Sequence, residues 1–81
     1  MTMVILIKEG GGFMIDGFRL KCLRNELGLT AEELGFAVGV SGSMILHMER
    51  GYKTPSIEVL KRIADRLNVT VDNLISKKER P

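Results

Sequence analysis

Between Thr30 and Gly51 the chain reads TAEELGFAVGVSGSMILHMERG, and its start and stop residues leave little freedom in what it can form. Thr30 is a candidate N-cap, and Glu33 follows at the spacing of a capping box, in which cap and third residue bond each other's backbone amides. Leu34 and Val38, four apart, then share one helical face. Gly39 ends that helix, since glycine enters the left-handed conformation of a helix stop without steric cost. Ser41 can cap a second helix, in which Ile45 and Met48 share a face, and Gly51 stops it. The stretch therefore specifies two short helices joined by a tight, glycine-containing turn.

At 81 residues the chain has room for one small domain whose single core is only just sufficient. Its apolar fraction of 44% is ordinary, and with few aromatics and no Trp the core must be aliphatic. The single cysteine, Cys22, cannot form an internal disulfide, and with His47 it cannot make a zinc site. Neither a metal nor a cofactor is expected, and a reducing cytoplasm is the default location. The apolar run Met3–Ile7 is too short for a signal-peptide core or a membrane span. Eight basic and eight acidic side chains balance between residues 16 and 76, within a formal net charge of +2. An electrostatic partner would therefore be recognised by where the charges lie, not by their number.

Taken in order, Met3–Ile7 reads as a strand, Lys8–Gly12 as a turn, and Phe13–Ile15 as a second apolar run. Two arrangements stand beside a disordered start: a local hairpin, or a strand formed by Met3, Val4, Ile5, Leu6 and Ile7 that pairs with a second copy of the chain. Asp16 or Gly17 begins the first helix, whose core stripe is Leu20, Leu23 and Leu27, with Arg24 beside it and Gly28 as stop. After the central pair, Pro55 fits the start of a fourth helix with Thr54 as cap, and Leu60, Ile63, Ala64 and Leu67 form its inner face. Asn68 breaks it, and Thr70 caps a last short helix over Val71–Ile75. The division expected is a strand segment over 1–15, a helical domain over 16–76 and a charged tail over 77–81.

These segments resemble the Cro/phage-repressor, or Xre-like, helix-turn-helix family. The resemblance runs through LRNELGLTAEEL, GVS at the turn, ERG at the end of the third helix, Pro55, and LKRIADRLNVTVDNLI. It covers about three quarters of the chain, from Phe18 to Ile75. It implies an all-α fold, a five-helix λ-repressor-like domain, here preceded by a short β-strand or hairpin. It also implies a transcription regulator, acting on double-stranded DNA as a homodimer, with its third helix in the major groove.

Carried over by position, the base-reading residues implied are Gly42, Ser43 and His47. Phosphate contacts map to Arg24, to Ala31 at the start of the second helix, and to Arg50, Tyr52, Lys53 and Thr54. Arg24 and Glu49 match a family ion pair between the first and third helices. Serine and histidine can donate to base edges, and loop cations suit phosphates. Two positions depart from the pattern: Gly42 stands where the family carries a long polar residue, and Ala31 where it commonly carries Gln. Gly42 could let the backbone approach DNA closely, and Gly35, where Ala is common, points to close helix packing. Lys61, Arg62 and Arg66 read as a solvated face, while Phe36 maps to an exposed position. The second functional reading is an antitoxin-like or adaptor module that binds a protein partner on the same fold. An enzyme is not expected: Glu32 and Glu33 diverge on a helix, and Ser43 and His47 have no orienting acid.

Overall fold

A computed structural model describes residues 14–76. Strand β1 (Met14–Ile15) leads into helix α1 (Gly17–Glu26), followed by α2 (Ala31–Val38), α3 (Gly42–Glu49) and α4 (Ile57–Leu67). A single 3-10 turn, Val71–Leu74, then delivers the chain to strand β2 (Ile75–Ser76).

Each of the four described α-helices starts on a side-chain cap. Asp16, Thr30, Ser41 and Ser56 each accept a hydrogen bond from the amide three residues on. At Thr30 the capping box closes in both directions, with Glu33 Oε1 accepting from the Thr30 amide at 2.9 Å. Gly39 and Asn68 end α2 and α4 in the left-handed conformation. The fourth helix is capped by Ser56, not Thr54: the Ser56 hydroxyl accepts from the Val59 amide at 3.2 Å. Pro55 precedes the cap and is buried, so it seals the entry to the helix and is not its first residue.

The core is aliphatic and continuous. It comprises Ile15, Leu20, Leu34, Val38, Ile45, Met48, Leu60, Ile63, Ala64, Leu67 and Leu74. The α1 stripe is narrower than its sequence suggests. Leu20 is fully buried and Leu23 half-buried, but Leu27 is 49% exposed, because the helix has ended there and Leu27 is its C-cap. Leu29 packs against the core in its place.

Among the described residues there are four α-helices, and the fifth helix expected is a short 3-10 helix. The segment after Thr70 makes one 3-10 turn, in which the Asn73 amide bonds the Thr70 carbonyl at 3.1 Å. Ile75 then turns extended and pairs antiparallel with Ile15, as Ser76 does with Met14. The Asp16 amide donates to the Leu74 carbonyl at 2.7 Å and ties the first helix to the end of the fold. Among the described residues, then, Met14 and Ile15 of the second apolar run pair with the C-terminal segment of their own chain. The physical reason is period-two alternation, which turns Ile15 into the core and leaves Met14 exposed. The run Met3–Ile7 lies outside the described residues.

Helices α2 and α3 pack directly on each other across the turn at Gly39–Ser41. Gly35 permits it. A Cβ there would stand 2.5 Å from the Val40 carbonyl oxygen and 2.9 Å from the Ser41 carbonyl carbon, both backbone atoms that cannot swing aside. Glycine inside a helix costs about 1 kcal/mol relative to alanine, so the close turn outweighs local propensity here. Gly35→Ala should therefore destabilise the domain by about 1–3 kcal/mol, the usual cost of overpacking. Urea unfolding checks this; a stabilised variant would show that the turn relaxes freely.

Candidate nucleic-acid interface

Helix α3 buries Ile45 and Met48 completely and turns Ser43, Leu46, His47 and Arg50 outward. These four recur at helical spacing and make one exposed face. Met44 is half-buried against the core, so it is a packing residue at the edge of that face. Ser41 fixes the helix start, its hydroxyl accepting from the Met44 amide at 3.0 Å.

What aims this face is an ion pair from α1. Arg24 Nε donates to Glu49 Oε2 at 2.6 Å and Nη2 to Oε1 at 3.1 Å, a side-on two-point contact. The third nitrogen, Nη1, donates to the Leu29 carbonyl at 2.8 Å. The Glu49 hydrogen bonds push the Arg24 pKa above its ordinary value against the opposing effect of burial, and the carboxylate charge adds to the rise. The side chains are 11% and 4% exposed. Arg24, named as a phosphate contact as well as a bridge partner, has all three nitrogens committed inside the protein. Its part is to join α1, the α1–α2 loop and α3.

Gly42 is close-packed against protein. A Cβ on it would meet Glu32 Cγ at 2.7 Å and the Glu32 Cα at 3.1 Å. A Cβ at the head of α3 would thus press on Glu32 of α2, a neighbour that sequence spacing alone does not reveal. Ala31 is half-buried and packs on the core, so its side chain adds no polar contact. In the first turn of α2 the amides of Thr30, Glu33 and Leu34 bond within the helix. Among the described residues, the amides of Ala31 and Glu32 are the ones in this turn with no such bond recorded.

After α3 the chain turns at Gly51, and Arg50, Tyr52, Lys53 and Thr54 are all exposed. The Tyr52 amide donates to the His47 carbonyl at 2.8 Å. Arg50, Tyr52 and Lys53 therefore leave the same end of α3 that carries His47. On α4, Lys61 and Arg66 are exposed, as their sequence position suggests. Arg62 does more than face solvent. It pairs with Glu58 at 3.0 Å and reaches the Val38 carbonyl at 3.4 Å, satisfying the C-terminus of α2.

Comparison with known proteins agrees with this geometry. A helix-turn-helix family model, HTH_3, matches residues 20–74. The chain is 37% identical over 60 residues to an uncharacterized HTH-type transcriptional regulator, YazB, of Bacillus subtilis, covering 74% of this chain and 87% of that one. It is 36% identical over 63 residues to the regulator SinR of Bacillus subtilis, covering 76% of this chain and 57% of SinR. Among solved structures, SinR in complex with DNA superposes with a TM-score of 0.65 at 34% identity, covering 70% of this chain and 95% of that one. A c2 repressor in complex with a synthetic operator superposes with a TM-score of 0.69 at 30% identity, covering 73% and 89%.

Truncating one side of the ion pair tests its role. Arg24→Leu or Glu49→Leu should each cost about 3 kcal/mol, because a buried charge is left alone. The double variant should regain much of that loss. Chemical denaturation of the three variants checks it; equal and additive losses would show that the pair is not coupled.

Proposed function

The chain belongs to the HTH_3 helix-turn-helix family, and from that premise we propose that it is a sequence-specific DNA-binding transcriptional regulator, a repressor that lays α3 in the major groove. The observation that carries this is the exposed row Ser43, His47 and Arg50 on a helix whose other face is locked into the core. Ser43 and His47 supply donors for base edges, and a histidine can donate to guanine N7 or O6. Arg50, Lys53, Thr54 and the Tyr52 hydroxyl supply phosphate contacts, as do the amides at Ala31 and Glu32 at the positive end of α2. Gly42 adds no side chain to this surface. Specificity rests on few residues, and affinity falls to the loop after α3.

The reading is tested by selecting bound duplexes from a random pool at low salt. Affinity for the selected site should fall linearly on a log–log plot against salt. His47→Ala should relax preference at one base pair. Lys53→Ala should weaken all sequences about equally and reduce the salt slope by about one. Failure to retain any duplex would contradict DNA binding.

We further place a homodimer contact in the segment 1–15, through Met3, Val4, Ile5, Leu6 and Ile7. Support comes from the uninterrupted apolar run in the sequence, six residues before β1, and from the exposure of Met14 and Phe18 at that end of the fold. Paired half-sites should then lie about one helical turn apart. Deleting residues 1–12 should turn a dimer into a monomer in sedimentation; a full-length chain that stays monomeric at high concentration rejects the contact.

A further inference from the structure

Tyr52 is 71% exposed, yet it is not free to wander. Gly51 takes φ +84°, in the left-handed region, and folds the chain back over the end of α3. That reversal lets the Tyr52 amide bond the His47 carbonyl at 2.8 Å. It also brings the two rings together, with centroids 6.0 Å apart and planes tilted by 52°, within the range of favourable aromatic pairs. An exposed histidine otherwise samples several rotamers, and holding one of them costs side-chain entropy when it meets a base. Arg50, also exposed at this end of the helix, makes no hydrogen bond to the imidazole among the described residues. The Tyr52 ring is the aromatic group paired with it among the described residues.

We infer that Tyr52 is a positioning residue for base recognition: its ring holds the His47 imidazole in one orientation on the reading face. The inference rests on the DNA-binding reading above and deepens it. The tyrosine ring serves orientation, while its hydroxyl stays available to a phosphate. The α3 reading face and the phosphate-binding loop are then one rigid unit, so a base contact and a backbone contact are set together.

Two measurements test this, one with DNA and one without. In the free full-length protein, nuclear Overhauser contacts should join the His47 and Tyr52 ring protons. On the selected duplex, Tyr52→Ala should reduce discrimination at the base pair that His47→Ala affects, by on the order of fivefold or more. Combining Tyr52→Ala with His47→Ala should flatten that preference no further than His47→Ala alone. Tyr52→Phe keeps the ring and should keep the preference, losing only affinity common to all sequences. Absent ring contacts, or a Tyr52→Ala variant that binds every duplex equally more weakly with its preference intact, would overturn the inference and leave DNA binding standing. A Tyr52→Phe variant that loses preference as Tyr52→Ala does would also overturn it. A wild-type chain that selects no duplex overturns both.

Discussion

The Arg24 guanidinium is the point through which the rest of the fold is joined. It receives Glu49 from the end of α3 and the Leu29 carbonyl from the α1–α2 loop, and it does so at the margin of an otherwise aliphatic core. A buried ion pair gives little net stability against well-packed apolar residues, since both charges lose their hydration. Its contribution is directional. A two-point arginine–carboxylate contact fixes angle as well as distance, and the angle it fixes is that of α3 against α1. Leucines in both positions could stabilise the domain equally well, but they would set no comparable orientation for the exposed row at Ser43, His47 and Arg50.

Close approach of backbone to backbone does the rest. Gly35 brings α2 against the turn, and Gly42 brings the head of α3 against Glu32. Both glycines lie in helices, where their intrinsic preference is poor. Both are explained by space. At Gly42 the head of α3 presents backbone beside the Glu32 side chain. That is a sparser surface than a long polar side chain would give. On the proposed function, a face with few donors depends more on how firmly each is held, which gives the pairing of the His47 and Tyr52 rings its weight.

Much of this was legible in the sequence because it is local. The capping box at Thr30 and Glu33, the cap at Ser41, the stops at Gly39 and Asn68 and the buried stripe of α4 all follow from residues a few positions apart. What was not legible depends on chain segments far apart. The pairing of Ile15 with Ile75 joins the two ends of the described fold, and no local signal at Ile75 distinguishes a strand from a helix end. Arg62 as a cap for Val38, and Glu32 lying against Gly42, likewise follow from helix crossing and not from spacing. Choosing Ser56 over Thr54 as cap is a shift of two positions that either hydroxyl could satisfy; the buried Pro55 decides it.

The most direct measurement of the reading surface is a backbone NMR titration of the full-length protein with its selected duplex. The largest amide shifts should fall on Ser43–Thr54, with a second group at Ala31 and Glu32, and Lys61 and Arg66 should hardly move. Shifts centred on α4, or on the exposed Phe36 side of α2, would contradict the assignment of α3 as the helix that meets DNA.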